Sequence, residues 1–383
     1  MRRVCVIGVD IGGTKIKAGA VEVGAGSAGA RVVAAQEVVT PRTRPAAFYD
    51  AVAAVIRDVR ARAEQSGTSV MPLVAVAHPG RFLPDGRLAR GTTPNLGTAP
   101  GEFDGLSPMA ELERRLGGRV IAENDAIAQM RFGLDALLRD PVARPLLVGE
   151  TVVYLGPGTG MGGGVACVAI DGTVTVVTDG HLFDLQLPGY GDGTLTAEEV
   201  FTGPAIARYI AEANRSSSCP IEPARAGQAD ILLRSPQTLP EQRAFAERIA
   251  DAHGEILALL IETIRAGRIT KTRLEPTPDG RILRHVDELD RAWSEADRAV
   301  VRGARRFILG GFVGTSRGLG GRICERTLGL LRQRGQADIM IFQIPVDSAD
   351  AGLLGAVRAI SASDIGRISP RSTVHGPQQE HSL

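Results

Sequence analysis

The stretch "DIGGTK", residues 10–15, directly follows the apolar run "VCVIGV" and shares its lysine with a second strand-like run, "KIKAGAVEV". Two such runs joined by a glycine-rich turn predict a β-hairpin. Glycine has no Cβ, so the backbone can adopt positive φ and can approach a ligand closely. Successive N–H groups in such a turn form a concave donor surface that suits phosphate. The stretch therefore predicts a hairpin whose turn contacts a phosphate group.

A second glycine-rich stretch, "YLGPGTGMGGG" at residues 154–164, again follows a strand-like run, "TVVYL". One such turn could serve only to close a hairpin. Two turns at matching places favour a shared ligand, to which Thr14 and Thr159 could add hydroxyl donors. Neither turn matches the GxxxxGK[ST] loop of nucleotide triphosphatases, and neither leads straight from a strand into a helix as a dinucleotide-binding turn does.

The predicted elements repeat around these two turns. Each copy opens with three strands, the first two joined by the glycine turn, and continues with helices and further strands. We predict an α/β protein of two domains that face each other across a central cleft. The predicted ranges are 1–121 for the first domain, 122–348 for the second, about 349–362 for a last helix that returns to the first domain, about 269–303 for an insertion (a solvated excursion, hairpin or lid) and 363–383 for a disordered tail.

The composition of the chain argues against several classes of protein. The chain has 383 residues, a hydrophobic fraction of 44% and a formal net charge of +1. This charge gives no argument for binding nucleic acid or an anionic membrane. No apolar run reaches the roughly 18–20 residues needed to span a bilayer, and the chain starts directly on a strand without a signal peptide, so we expect a cytoplasmic protein. The four cysteines form no CxxC pair, so neither a disulfide framework nor a cysteine zinc cluster is indicated.

Two acidic positions suggest chemistry. Asp10 precedes the first glycine turn, and a carboxylate beside a phosphate is repulsive unless a cation lies between them. Mg²⁺ is such a cation, since it binds through one or two carboxylates together with phosphates and water. In "AENDAIAQ", residues 122–129, Asn124 and Asp125 fall between a strand end and a helix. There they could cap the helix, or, in a cleft with two phosphate-binding turns, Asp125 could act as a general base.

Taken in order, these motifs resemble the ROK family (repressors, open reading frames, kinases) of the sugar kinase/Hsp70/actin superfamily. "DIGGTK" and "GPGTGMGGG" resemble its two phosphate loops, and "ENDA" its catalytic block. Three further stretches resemble other family segments over almost the full length: "HPGRFLPDGRLARGTTPNLG" (78–97), "EEVFTGPAI" (198–206) and "FILGGFVG" (307–314). The resemblance implies two ribonuclease H-like, actin-like α/β domains around a cleft.

The resemblance also implies roles for individual residues. Asp125 would be the general base of an ATP-dependent kinase, and Asp10 would organise Mg²⁺ through phosphates and water. The implied acceptor ligands are Asn95, Asn124, His181 and Glu198. The implied nucleotide-binding residues are Asp10, Gly12, Gly13, Thr14, Lys15, Gly158, Thr159, Gly160, Gly310 and Gly311. Alternatives from the residues alone stay open: Glu198 could be a first-turn helix charge, and His181 a turn histidine.

The sequence departs from the family pattern on the acceptor side. The usual CxCGxxGC zinc loop corresponds to "GYGDGTLTAEE", residues 189–199, which has no cysteine, so no zinc site is expected. Thr178 stands where a sugar-binding Glu is expected.

Three functions are therefore weighed: a kinase for a hydroxyl, expected to be primary, of a hexose or hexosamine; a kinase for a C7-cyclitol, a carbocyclic sugar mimic; and a sugar-sensing, non-catalytic protein of the same family. A repressor would need an N-terminal DNA-binding domain, whereas this chain begins at the first strand. The resemblance favours a homodimer that binds a small-molecule sugar or cyclitol, with no nucleic acid or membrane partner.

Overall fold

A first five-stranded sheet forms the amino-terminal half of the fold. The computed structural model describes residues 4–22, 30–93, 95–177, 185–268, 295–344 and 350–360, and the backbone of two short strands between 268 and 295. The first elements are β1 (Val4–Ile11), β2 (Lys15–Glu22), β3 (Arg31–Val39), α1 (Pro45–Gln65), β4 (Ser69–His78), α2 (Pro108–Leu116) and β5 (Arg119–Asn124). The strand order is β3-β2-β1-β4-β5, in which β1, β2 and β3 are antiparallel and β4 and β5 run parallel to β1.

A second five-stranded sheet repeats this layout. The elements that lead through it are α3 (Asp125–Arg139), α4 (Arg144–Leu147), β6 (Thr151–Pro157), β7 (Met161–Val168), β8 (Val174–Val176), α5 (Ala197–Val200), α6 (Gly203–Asn214), α7 (Ala226–Arg234), α8 (Pro240–Arg265), β9 (Thr272–Pro276), β10 (Ile282–Val286), α9 (Glu295–Val301), β11 (Arg306–Leu309), α10 (Gly311–Thr315), α11 (Leu319–Gln333) and β12 (Met340–Gln343). The order β12-β11-β6-β7-β8 mirrors the first sheet, with β11 and β12 parallel to one another and β6 paired antiparallel with β7. The predicted α/β class and the repeated unit are confirmed.

The chain ends, within its described part, in α12 (Ala351–Arg358), which packs on the first sheet. Gly8 of β1 and Gly19 of β2 are paired in register, and α12 lies directly on them. A Cβ on Gly8 would come within 2.7 Å of the main-chain oxygen of Leu353, and a Cβ on Gly19 within 2.8 Å of a Leu353 methyl group. The absence of a side chain at these two glycines therefore allows α12 to pack closely on the sheet.

Each sheet has its own core. α1 covers one face of the first sheet, where Phe48, Tyr49 and Phe103 are among the largest fully buried side chains. On the second sheet, the long helix α8 packs against α11 and contributes an apolar stripe that includes Ile249, Leu257 and Ile261. Such stripes are typical of helices that bury one face on a sheet. The two cores hold the strand ends in place, and these ends build the site.

Several predicted boundaries differ from the structure. The sequence pattern of residues 197–213 predicts a single helical stretch. The structure has two helices there, because the Thr202 side chain accepts a hydrogen bond from the Ala205 N–H at 3.2 Å and caps a new start at α6. The next helical pattern in the sequence lies around residues 238–267, so α7 is an additional helix that the sequence pattern did not predict. The predicted domain boundary at residue 121 falls inside β5, a strand of the first sheet. Since a strand stays with its sheet, we propose the junction of Asn124 and Asp125 as the boundary instead.

The predicted insertion at about 269–303 contains an antiparallel pair, β9 and β10, followed by α9. The predicted tail, 363–383, lies outside the described residues. Within the described ranges, none of the helices combines the length and the apolar character that crossing a bilayer requires.

Candidate functional site

The first glycine turn joins β1 to β2 where the parallel strands of the first sheet end. The Gly12 N–H donates to the main-chain oxygen of Lys15 at 2.8 Å, and the Thr40 hydroxyl donates to the main-chain oxygen of Gly12 at 2.6 Å. In the part of the chain that the structure describes, the N–H groups of Gly13 and Thr14 have no acceptor. Two adjacent unpaired N–H groups in a turn are a donor pair suited to phosphate.

The glycines of this turn are explained by close approach and not by positive φ. Neither Gly12 nor Gly13 has a positive φ, so the conformational freedom suggested by the sequence is not used here. A Cβ on Gly13 would lie 2.9 Å from the Cβ of Asn95. The main-chain oxygen of Asn95 accepts a hydrogen bond from the Arg42 guanidinium at 2.6 Å. The exposed residue Asn95 therefore sits directly against the first turn.

The second glycine turn, between β6 and β7, has a similar arrangement. The Gly158 N–H donates to the main-chain oxygen of Gly160 at 2.9 Å, and the Gly203 N–H donates to the main-chain oxygen of Gly158, also at 2.9 Å. Among the described residues, the N–H groups of Thr159 and Gly160 have no acceptor. Gly203 starts α6, so a helix N-terminus also meets this turn. Each half of the molecule thus presents two consecutive unpaired N–H groups at the end of its first strand.

Glu198 lies against the second turn. Its Oε2 accepts a hydrogen bond from the Met161 N–H at 3.0 Å, and a Cβ on Gly160 would come within 3.0 Å of the same oxygen. Burial raises the pKa of the Glu198 carboxyl above its ordinary value. Glu198 is also in the first turn of the short helix α5. Its carboxylate therefore braces the turn through one oxygen.

The parallel strands of the first sheet bring the predicted acidic residues to one edge. The register aligns Asp10 of β1 with Ala77 of β4, and Ala77 with Glu123 of β5. Asn124 is the next residue of β5, and Asp125 begins α3. Ligands of open α/β sheets bind at such carboxyl ends of strands. Asp10 and Asp125, which are far apart in the sequence, are therefore neighbours at the same edge.

The two carboxylates influence each other. Burial raises the pKa of Asp125 to about 7, and the nearby charge of Asp10 contributes in the same direction. Burial also raises the pKa of Asp10 to about 6, although Lys15 and Lys17 oppose that rise. Both carboxyls therefore titrate near neutral pH, as groups that exchange protons in catalysis do.

Asn124 already has structural partners on both polar atoms. Its Oδ1 accepts from the Ala126 N–H at 2.9 Å and caps α3, and its Nδ2 donates to the main-chain oxygen of Gly80 at 2.9 Å. The capping alternative considered for this junction therefore applies to Asn124. One amide hydrogen remains for a further acceptor, because the Nδ2 group carries two.

A cavity of about 880 Å³ opens between the two sheets. Of the predicted residues, Asp10 and Lys15 reach it from the first sheet and Gly311 from the second. Its lining also includes Gln129, Tyr154 and Phe312, which the sequence did not single out. Gln129 could have been found, since it lies one helical turn after Asp125 on α3. The other predicted residues that the structure describes do not line this cavity, namely Asn95, Asn124, Asp125, Glu198, Gly12, Gly13, Thr14, Gly158, Thr159, Gly160 and Gly310.

Tyr154 and the late glycine pair form one wall of the cavity. The Tyr154 hydroxyl donates to Oε1 of Gln129 at 3.1 Å, and Tyr154 itself is buried. The Gly310 N–H donates to the main-chain oxygen of Leu155 at 2.8 Å. Gly311 has a φ of +60°, and a Cβ there would come within 2.6 Å of the main-chain oxygen of Pro157. Only glycine fits this tight turn, which packs against the strand that leads into the second glycine turn.

Two positions on the predicted acceptor side, Thr178 and His181, lie outside the described residues. Within the described residues, no cluster of three or more His, Cys, Asp or Glu side chains is arranged to hold a metal ion. A Mg²⁺ ion bound at Asp10 would therefore need phosphate and water oxygens to complete its ligand shell.

Comparison with known families identifies the chain. The ROK family model matches residues 6–270. The chain belongs to the ROK family. No protein with curated annotation is similar enough to this ROK chain to give a significant match.

Solved structures of other ROK proteins share the fold. A ROK hexokinase from Thermus thermophilus has 22% identity and a TM-score of 0.56, with 92% of this chain and 96% of that one covered. A ROK family glucokinase from Streptomyces griseus, in complex with glucose and AMPPNP, has 21% identity and a TM-score of 0.53, with coverages of 93% and 98%. A ROK family transcriptional regulator, a homologue of the E. coli MLC protein, has 13% identity and a TM-score of 0.58, with coverages of 93% and 78%. At these identities the neighbours establish the two-domain fold, which kinases and regulators share.

Proposed function

We propose that this ROK protein is an ATP-dependent kinase that transfers the γ-phosphoryl group to a hydroxyl of a sugar or a sugar-like polyol. The observation that carries the proposal is the pair of glycine turns, each with two consecutive unpaired N–H groups. The turns follow β1 and β6, two strands that contribute Asp10 and Tyr154 to the lining of one cavity. Phosphoryl transfer depends mainly on positioning and on electrostatic stabilisation of the phosphates. Donors from both halves of the molecule could supply that stabilisation to a polyphosphate chain.

The nucleotide would lie in the cavity of about 880 Å³. In this proposal Gly12, Gly13, Thr14 and Lys15 contact the phosphates from the first sheet, and Gly158, Thr159 and Gly160 contact them from the second. Gly310 and Gly311 would lie beside the nucleoside. The Streptomyces griseus neighbour is described with AMPPNP, a non-hydrolysable analogue of ATP, and this favours ATP as the donor.

Asp10 fits a role with Mg²⁺. Its carboxyl is buried with a pKa raised to about 6, so a cation beside it would relieve the cost of its charge. Gly352 leaves room there, because a Cβ on this residue would collide with the Asp10 carboxylate. When bound, Mg²⁺ would neutralise part of the phosphate charge. Asp10 would hold it through water and phosphate oxygens.

Asp125 is the proposed general base. A carboxylate whose pKa is about 7 is substantially deprotonated at neutral pH, yet it is basic enough to accept a proton from an acceptor hydroxyl as the transfer proceeds. Its place at the start of α3 fixes its backbone, because Asn124 caps that helix. Asn95, Asn124, Glu198 and His181 are proposed to bind the remaining hydroxyl groups of the acceptor.

The proposed acceptor is a hexose, a hexosamine or a carbocyclic analogue such as a C7-cyclitol. The two kinase neighbours described above as a hexokinase and a glucokinase favour a sugar. The Thr at position 178 removes a carboxylate acceptor that the family pattern places there, and this favours a modified ring. A screen of ADP release against hexoses, hexosamines, inositols and C7-cyclitols tests the proposal. Turnover with none of them would contradict it.

The role of Asp125 has a direct test. Asp125→Asn keeps the shape of the side chain but removes proton acceptance. We expect kcat to fall by roughly 10² or more with nucleotide affinity little changed. Kinetics on the best substrate of the screen, with nucleotide binding measured by calorimetry, would check this. Near wild-type turnover in the variant would exclude Asp125 as the base.

A second candidate is a non-catalytic, sugar-sensing ROK protein, which the regulator among the structural neighbours favours. The two candidates differ in one measurement. A sensor binds a sugar but releases no ADP with any acceptor, whereas a kinase does both. The screen therefore separates them without further variants.

The remaining features of the proposal concern assembly and location. We propose a homodimer in the cytoplasm, with a small-molecule sugar or cyclitol as the binding partner and neither nucleic acid nor membrane involved. Light scattering of the purified protein would test the dimer. A monomeric mass at micromolar concentration would contradict it.

A further inference from the structure

A second, smaller cavity lies away from the cleft and is rich in arginine. It has a volume of about 370 Å³ and is lined by side chains of α3, α4, α12 and the residues around β8. Four of the lining residues are arginines, namely Arg131, Arg139, Arg144 and Arg358, and one is an aspartate, Asp135. We call these five residues the arginine pocket. None of them has a part in the function proposed above.

The arginine pocket contains more positive than negative charge. Asp135 is shared by two guanidinium groups, with Arg358 at 3.0 Å and Arg139 also in contact. Arg131 pairs with Glu123 at 2.8 Å, and Arg144 donates to the main-chain oxygen of Asp171 at 3.1 Å. The charge of Arg144 also acts on the carboxylate of Asp171. Four guanidinium groups are thus accompanied by three carboxylates, those of Asp135, Glu123 and Asp171. The pKa of Arg139 is lowered by burial and by the nearby charge of Arg358, as expected for cations held close together.

The guanidinium groups retain donors for a ligand. Each carries five N–H donors in a rigid fork, and the pairs described above use only some of them. Arg139 and Arg358 remain partly exposed, at 40% and 37% of their side-chain area. Guanidinium forks match the oxygen geometry of phosphate, which is why arginine recurs at phosphate-binding sites. The volume falls at the small end of the roughly 300–1,000 Å³ range of small-molecule sites.

We propose that the arginine pocket is a second binding site, specific for a small phosphate-bearing anion such as inorganic phosphate or a phosphate monoester. The site is separate from the cleft. Asp125 begins α3 and Arg139 ends it, so about 20 Å of helix separates them at 1.5 Å per residue. Likewise, Gly352 at the start of α12 lies on Asp10, whereas Arg358 at its end lines the pocket. An anion there would join α3, α12 and the second sheet.

The consequence is a binding-linked gain in stability. An anion that bridges Arg358 of α12 and Arg144 beside the second sheet holds together elements from both halves of the molecule. Any ligand that binds only the folded state raises the unfolding temperature in proportion to its affinity and concentration. Removing guanidinium groups from the pocket should therefore remove this gain while the cleft stays intact.

The test compares two double variants of equal net charge. Arg144→Gln with Arg358→Gln removes two pocket arginines. Arg114→Gln with Arg305→Gln is the control, because these arginines are exposed at 65% and 56% and pair with Glu111 and Asp338 away from the pocket. Inorganic phosphate and a hexose 6-phosphate are titrated into each protein by calorimetry at constant ionic strength, and thermal unfolding is followed in parallel.

We expect the wild type and the control to bind phosphate at a site in addition to any site in the cleft. Affinity at this additional site should weaken at least tenfold in the pocket variant, with loss of its share of the phosphate-dependent rise in Tm, whereas binding in the cleft should be equal in all three proteins. Tighter binding of the hexose phosphate would identify a monoester as the ligand, and equal binding would identify the phosphate group alone. Coinciding isotherms for the pocket and control variants would overturn the proposal. If the double variant fails to fold, Arg144→Gln alone replaces it, since this side chain is exposed. Weaker phosphate binding than in the control would again support the proposal, and coinciding isotherms would again overturn it.

Discussion

At the scale of single residues, the burial of Asp125 makes the stability of the fold depend on pH. Its pKa is raised to about 7 from an ordinary value of 3.8, chiefly by burial. The folded protein therefore binds this proton more tightly than the unfolded chain does. The stabilisation is complete below about pH 4 and is lost as the pH rises through about 7. The charged carboxylate therefore lowers stability at neutral pH, a cost that the proposed role of Asp125 as general base would explain.

This sign leads to a prediction. We expect Asp125→Asn to be more stable than the wild type at pH 8, by about 1 to 3 kcal/mol, and nearly equal to it at pH 4. Thermal unfolding at the two pH values would measure this. Asp171→Asn is the control, since Asp171 is exposed and its pKa is lowered by hydrogen bonds from Thr173, so the variant should gain nothing at pH 8. If Asp125→Asn were less stable than the wild type at pH 8, burial of the charged carboxylate would not be destabilising, and the prediction would be wrong.

A substitution of Glu198 can distinguish two roles of its carboxylate, bracing the second glycine turn and binding the acceptor. Its Oε2 accepts the Met161 N–H, and Glu198→Gln keeps an acceptor there but removes the charge. If the carboxylate binds an acceptor hydroxyl, KM for the acceptor should rise by roughly tenfold, since hydrogen bonds to charged groups contribute about 1.5–3 kcal/mol. Tm should not change. Steady-state kinetics would show it, with Glu199→Gln, in the adjacent capping box, as a control with unchanged KM. An unchanged KM at position 198 would leave Glu198 as a brace alone.

At the scale of elements, the crossing of α12 and α3 is set by one small residue. A Cβ on Gly355 of α12 would collide with the main-chain oxygen of Ala128 on α3. The two helices can therefore lie in contact only while position 355 is glycine. Because α3 begins at Asp125 and α12 begins beside Asp10, this crossing fixes the relative position of the two carboxylates.

We expect Gly355→Ala to destabilise the protein by about 1 to 3 kcal/mol, the usual cost of overpacking. Gly329→Ala in α11 is the matched control. A Cβ there would meet open space, and alanine favours a helix over glycine by roughly 0.5–1 kcal/mol. Tm should therefore fall for the first variant and rise slightly for the second. A rise in both would mean that the two helices can separate without loss.

At the scale of the whole molecule, we predict that the fold needs no zinc. Structural zinc takes four Cys or His ligands in a tetrahedral arrangement. Residues 178–199 contain His181 and no cysteine, and Cys167 and Cys219 lie outside this stretch. Bracing of the acceptor side must then come from packing and hydrogen bonds. Metal analysis of the purified protein should find no stoichiometric zinc, and EDTA should leave Tm unchanged. One zinc per chain, with a lower Tm after chelation, would contradict this.

The sequence by itself determined the features that depend on local pattern. Alternating apolar runs around "DIGGTK" and "GPGTG" predict the two hairpins and their place in a repeated α/β unit. The polar pair at 124 and 125 marks the junction of a strand and a helix, and the capping alternative considered there is local in origin. Such features follow from hydrogen-bonding residues and turn residues a few positions apart, so one chain segment contains the information.

Only the tertiary structure decided the features that depend on residues distant in sequence. The membership of β5 in the first sheet follows from strand pairing. Tyr154 and Phe312 both line the cavity because β6 and β11 are parallel and end at the same edge, where α10 begins. The pKa of Asp125 is raised by burial and by the charge of Asp10, over a hundred positions earlier. Burial and charge proximity are properties of the folded surface, and no local pattern in the sequence encodes them.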